Sequence, residues 1–245
     1  MSFADKNVLV LGGSSGLGRA TAKAFLDAGA HVWLASRDAG KLKRTKDVFA
    51  AGDRLQTLQL DMTDRDQVAA SPSQLPGGLD HLVISASQAA HGPFAELAVE
   101  EVEAMFASKF TGPYRVAQAL LPVMHTGGSI TFFSGVLSRR PGYNVAGLAA
   151  VNGAVEALTK ALALELGPRL RVNCLSPGMV DTEAYDGMPE DRRAAMIAET
   201  GASLPIARTG TPDEVAQGAL FLAANGYVTG HVLDIDGGHM VRSGG

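Results

Sequence analysis

The run Leu11-Gly12-Gly13-Ser14-Ser15-Gly16-Leu17-Gly18 follows a short apolar stretch, Val8–Leu11, and leads into residues of helical spacing, Leu17–Ala28. Glycines at these intervals between a strand and a helix suit a dinucleotide. Gly12 permits the sharp turn, Gly16 lets backbone approach a pyrophosphate, and Gly18 lets helix pack on strand. Ser14, Ser15 and Leu17 complete the turn, where the first N–H groups of the helix offer donors and partial positive charge to phosphate. Glycine triplets also occur in turns that bind nothing, and it is the strand before and the helix after that favour a ligand here. Eighteen and nineteen residues beyond Gly18 stand Ser36 and Arg37, where an acidic residue would receive a ribose 2′-hydroxyl. A hydroxyl and a guanidinium suit a 2′-phosphate instead, so the expected coenzyme is NADP(H) rather than NAD.

Positioning such a turn requires a scaffold, and the chain has the alternation for one. Strand-length apolar runs occur at Val8–Leu11, Val32–Ala35, Leu55–Leu60, Leu82–Ser85, Ser129–Phe133, Leu170–Leu175 and Val232–Ile235. Helical spacing fills Leu17–Ala28, Lys41–Ala51, Glu100–Met124 (interrupted at Gly112–Pro113), Leu148–Leu166 and Asp213–Ala224. Strands alternating with helices predict an α/β, doubly wound Rossmann-type domain with a mostly parallel sheet. No repeat or linker divides residues 1–245, so one domain is expected. Asp181–Arg208, rich in glycine, proline and charge, breaks the rhythm and suits either a mobile lid or an ordinary surface insertion.

Composition narrows the partners. Lys+Arg number 21 against 25 Asp+Glu, a net charge of −4 that gives no general attraction to nucleic acid or anionic lipid. Cys174 is the lone cysteine, so an internal disulfide is ruled out and no paired Cys/His cluster suggests zinc. The N-terminal residues show no leader pattern, and no uninterrupted apolar stretch is long enough to span a membrane. The expectation is a cytoplasmic globular protein with a small-molecule substrate.

Further motifs extend the picture: Asp61-Met62 after the third strand, Asn173 through Ser176-Pro177-Gly178 to Thr182, Val228-Thr229-Gly230, and Asp234-Ile235-Asp236-Gly237-Gly238. With the glycine turn they resemble the short-chain dehydrogenase/reductase family along nearly the whole chain, Leu11 standing where that family usually has threonine. The resemblance implies a seven-stranded sheet and a homo-oligomer, a tetramer or dimer. It places Asp61 and Met62 at the adenine, Ser85 and Ala86 beside the coenzyme, and Pro177, Gly178, Val180 and Thr182 around the nicotinamide.

The same resemblance implies a catalytic tyrosine, lysine, serine and asparagine, and this chain departs from all four. Counting back from Thr159–Glu165 puts Leu148 at the tyrosine and Asn152 at the lysine. Ser134-Gly135 falls at the serine pair with Gly135 at the catalytic position, and Gly112 sets Lys109 at the asparagine. Loss of a general acid alone costs about two to four orders of magnitude in rate. Three readings follow. One is an NADP(H)-dependent oxidoreductase with a relocated proton relay. There Lys109 serves as acid, Asn152 holds the ribose and contributes to the catalytic centre, and Tyr143 or His91 is an alternative proton source. Its substrate is a small carbonyl, imine or enone. The others are a coenzyme-binding regulator without redox catalysis, and a non-redox isomerase, dehydratase or cyclase. Asp181, Glu183 and Tyr185, at the start of the suspected lid, are candidates for choosing substrate, while Cys174 reads as buried and inert.

Overall fold

The computed structural model describes residues 2–85 and 88–242. Seven strands form one sheet: β1 (Asn7–Leu11), β2 (His31–Ser36), β3 (Leu55–Gln59), β4 (Leu79–Ile84), β5 (Met124–Phe133), β6 (Arg171–Pro177) and β7 (Val232–Ile235). Their order is β3-β2-β1-β4-β5-β6-β7, and every pairing is parallel. The expected sheet was mostly parallel; it is wholly so. Such a sheet must be covered on both faces, which is why β4 buries all six of its residues.

Alternate side chains serve the two faces. Leu9, Leu11, Leu82, Ile130, Phe132, Val172 and Cys174 enter one core, closed by α5 (Gly112–Leu120) and α6 (Ala146–Leu166). Val8, Val10, Val83, Phe133 and Leu175 enter the other, beneath α1 (Gly16–Asp27) and α8 (Pro212–Ala224). Full burial of each such side chain contributes roughly 1.5–3 kcal/mol. The 21 residues of α6 have a mean hydropathy of 1.2, enough by length and composition to cross a bilayer. That apolarity has another use here, since Val155 and its neighbours pack on the sheet.

Three elements differ from expectation. The helix expected over Glu100–Met124 is two, α4 (Val99–Phe106) and α5, joined by a π-turn over Ala107–Thr111. Pro113 has no N–H to give the preceding turn, and a side chain on Gly112 would come within 2.6 Å of Met62 Cγ. Met124 begins β5 instead of ending a helix. The segment 181–208 is not irregular: it holds a 3₁₀ turn, Glu183–Tyr185, and α7 (Glu190–Ala202). Between β3 and β4 lies the short α3 (Arg65–Ala70), capped by Asp64, whose Oδ1 accepts the N–H groups of Asp66 and Gln67. The remaining helix, α2 (Ala39–Phe49), joins β2 to β3.

The sheet order reverses between β1 and β4, and ligands of open parallel sheets bind outside the carboxyl ends of the strands at that point. Gly12, Ser36, Ser85, Ser134 and Pro177 all lie at that edge, each at or just past the end of its strand.

Candidate active site

The glycine turn is close-packed backbone. A Cβ on Gly18 would lie 2.2 Å from Gly12 O and 2.4 Å from Ser85 Oγ, so no other residue fits. Ser85 fastens β4 to β1 through its N–H and hydroxyl, both donating to Leu11 O at 2.9 and 3.1 Å. Ser14 Oγ donates to Ser36 Oγ at 3.0 Å, and Thr45 Oγ1 to Ser14 O at 3.3 Å, tying the turn to β2 and α2. Ser15 is the N-cap residue of α1 and makes no side-chain cap bond. Leu17 packs with the core under α1. The Gly16 N–H is occupied by a carboxylate, Glu183 Oε2, at 2.8 Å.

At the end of β2, Arg37 is exposed and its side chain has no ion pair among the described residues. The next residue, Asp38, is acidic but already committed. It caps α2 by accepting the Lys41 N–H at 2.9 Å, and that bond holds its carboxyl below the usual range. The acid is used locally while the guanidinium stays available. Asp61 is likewise engaged, accepting the Thr63 N–H and hydroxyl at 2.9 and 2.7 Å. Met62 is buried, turned inward against Gly112. Its side chain packs against Gly112. Ala86 lies outside the described residues.

At the end of β6, Pro177 and Gly178 pass so near β7 that a Cβ on Gly178 would meet Asp236 Cα at 2.9 Å. Val180 is buried and bridges to Gly210. Thr182 opens the 3₁₀ turn, its hydroxyl accepting the Ala184 N–H at 3.4 Å. Asp181 is gripped by Arg193, and burial raises the pKa of Tyr185 above the ordinary phenol value.

The chemical centre converges on Ser134 and Gly135. Lys109 sits in the π-turn, and its Nζ donates to Ser134 O at 3.2 Å. The residue is partly buried, but its ammonium is the enclosed part, and burial lowers its pKa to about 8, with nearby Cys174 pulling weakly the other way. Cys174 is fully buried, and desolvation pushes its thiol up to about 11. From the other side comes Asn152, only 2% exposed. Its Nδ2 would lie 3.1 Å from a Cβ on Gly135, and its buried Oδ1 has no partner among the described residues. An unsatisfied buried amide oxygen is costly, and a ligand hydroxyl would satisfy it.

Beside this pair lies a network the sequence reading missed. Glu156, 7% exposed, accepts the hydroxyls of Ser134 and Ser138 at 3.1 and 2.5 Å and pairs with Arg139 Nε at 3.3 Å. Arg139 also forks onto Asp234 and donates to Ser176 Oγ at 3.0 Å. Glu156 stands four residues after Asn152, an acid within the buried stripe Val151, Val155 and Thr159. That spacing was the available signal.

Two expected participants are not brought in. Tyr143 is 98% exposed, on a loop held by Gly92 N–H donating to Asn144 O, and its phenol is in solvent. His91 is also exposed, on the facing loop. Leu148 packs with Met105, Val145 and Val151 and presents no proton-bearing group.

Residues 12–240 match the profile of a family described as Enoyl-(Acyl carrier protein) reductase. The chain is 30% identical over 244 residues to the 3-oxoacyl-[acyl-carrier-protein] reductase FabG of Chlamydia muridarum, covering 96% of this chain and 97% of that protein. It is 31% identical to the short-chain dehydrogenase/reductase ATR9 of Stachybotrys chlorohalonatus, covering 97% and 98%. Among solved structures it superposes with TM-score 0.81 on a small-chain dehydrogenase in complex with NADPH, at 35% identity and covering 96% and 98% of the two chains. With ElxO bound to NADP the TM-score is 0.90, at 29% identity and 97% and 100% coverage.

Proposed function

The chain belongs to the short-chain dehydrogenase/reductase family, and on that premise we propose that it is an NADP(H)-dependent oxidoreductase whose proton is handled by Lys109. Its substrate is a small carbonyl, imine or enone. The observation that carries this reading is the meeting of Lys109 and Asn152 at Ser134–Gly135. The coenzyme reading is supported by the packed glycine turn, the free Arg37, the orphaned Asn152 Oδ1 and the NADPH- and NADP-bound relatives.

NADPH, when bound, supplies a hydride. Gly12, Ser14, Ser15, Gly16, Leu17 and Gly18 would hold its pyrophosphate and Ser36 and Arg37 its 2′-phosphate. Asp61, Met62 and Ser85 would flank the adenosine side, and Pro177, Gly178, Val180 and Thr182 the nicotinamide. Asn152 Oδ1 would accept a hydroxyl of the bound coenzyme, which would remove its desolvation cost. Lys109 has three donors, of which Ser134 O takes one. A second N–H gives its proton to the oxygen or nitrogen that becomes negative as substrate is reduced. Lys109 then regains a proton as product leaves and water enters the site. Because the ammonium is the acid, the rate of reduction falls as pH rises through about 8.

The test is reduction of a substrate panel by NADPH, with wild type beside Lys109→Met. The variant should lose about two to four orders of magnitude in turnover while still binding NADPH. Equal turnover in the two proteins removes Lys109 from the chemistry. The packing of Leu148 with apolar neighbours favours a second reading, a coenzyme-binding regulator. It predicts NADPH binding with no reduction of any panel member. We also propose a homo-oligomer, because Tyr114 on α5 and Leu164 on α6 (84% exposed) leave apolar surface on their outer sides. A sedimentation mass equal to the 25.4 kDa chain would remove that proposal.

A further inference from the structure

The sequence suggested Glu183 as a residue that chooses substrate, and the structure turns it elsewhere. Its Oε2 accepts the Gly16 N–H at 2.8 Å, at the first residue of α1, and its Oε1 pairs with Arg19 Nη2 at 2.5 Å. Both partners belong to the glycine turn and the helix it opens. A carboxylate at this place offers what a phosphate offers: anionic oxygens for backbone N–H groups at the positive end of a helix dipole.

The turn that presents Glu183 is built firmly. Arg193, from α7, binds Asp181 Oδ1 at 2.7 Å, Asp186 Oδ1 at 2.7 Å and Thr182 O at 3.2 Å. Those contacts bracket Glu183 on both sides. A cavity of about 410 Å³, bordered by Gly16, Arg19, Lys23, Thr182, Glu183 and Arg193, opens beside the contact. The side chain therefore has room to leave without the turn unfolding.

We infer that Glu183 is a resident competitor for the coenzyme's pyrophosphate, an autoinhibitory contact that occupies the glycine turn until coenzyme displaces it. This rests on the coenzyme reading above. Two anions cannot both occupy one N–H donor, and at close range at one helix terminus they repel. Coenzyme binding is thus an exchange of anions, and the carboxylate contact sets how much affinity is withheld. Its release frees Arg19 while the turn, held by Arg193, stays in place.

The experiment is titration calorimetry of NADPH and of adenosine 2′-monophosphate into wild type, Glu183→Gln and Glu183→Ala. Thermal melts confirm that each is folded. Adenosine 2′-monophosphate can engage Arg37 but has no pyrophosphate, so it reports on the rest of the site. Both variants should bind NADPH about tenfold more tightly, the scale of one charge-assisted hydrogen bond, with adenosine 2′-monophosphate unchanged. Unchanged or weaker NADPH binding in either variant overturns the inference and leaves the coenzyme reading standing. Equal tightening for both ligands also overturns it, since the effect would not be at the pyrophosphate. If neither wild type nor variants bind NADPH, the coenzyme reading fails and this inference with it.

Discussion

Lys109 shows most sharply how one side chain can serve function against stability. An ammonium enclosed beside Ser134 and Cys174 keeps its proton in the folded protein only to about pH 8, against 10.5 for an ordinary lysine. Between those values the unfolded chain binds the extra proton, so stability rises with pH across that window and carries the full burial cost below it. Lys109→Met removes the cost. It should stabilise the protein at pH 7 by roughly 1–3 kcal/mol, with the gain fading towards pH 10. Denaturant melts of both proteins at the two pH values check this. A variant less stable at pH 7 would mean that the Ser134 bond outweighs the desolvation. The residue was legible in sequence because Gly112 set its register, but its enclosure was not, since that depends on β5 and β6.

At the scale of elements, the glycine turn and the strand ends were legible because their rules are local. A strand, a glycine-spaced turn and a helix are specified by contiguous residues, and a parallel sheet brings all strand ends to one edge. The π-turn, α7 and the Glu156 network were not legible for the opposite reason. The π-turn depends on the N–H that Pro113 lacks and on Gly112 packing against Met62 from another segment. α7 is hidden by a run of charged residues, and Glu156 finds its partners Ser134, Ser138 and Arg139 in the segment after β5, with β7 reached only through Arg139 and Asp234. That network joins α6 to β7 through Arg139. Glu156→Ala would take one acceptor from Arg139, which keeps Asp234, and the shared acceptor of the Ser134 and Ser138 hydroxyls, and should cost roughly 1–3 kcal/mol. The change should appear as a lower denaturation midpoint with an unchanged denaturant slope. A loss below about 0.5 kcal/mol would show that the guanidinium is satisfied by Asp234 alone.

For the whole molecule, the sheet places two things at one edge: the close-packed glycine turn, and a polar cluster at Ser134–Gly135 to which Lys109 and Asn152 contribute. The first is the condition for the second to have any chemistry to do. At the far end of the turn, Arg37 has no ion pair among the described residues while Asp38 is tied to its helix, and this difference is the basis for the proposed 2′-phosphate contact. The most direct measurement is calorimetric titration of purified protein with NADPH and with NADH, repeated on Arg37→Ala. The account predicts that wild type binds NADPH in preference to NADH. The variant should lose about ten- to a hundredfold in NADPH affinity with NADH affected by a few-fold at most. Absence of binding heat for NADPH, or equal affinity for the two coenzymes before and after the substitution, would contradict it.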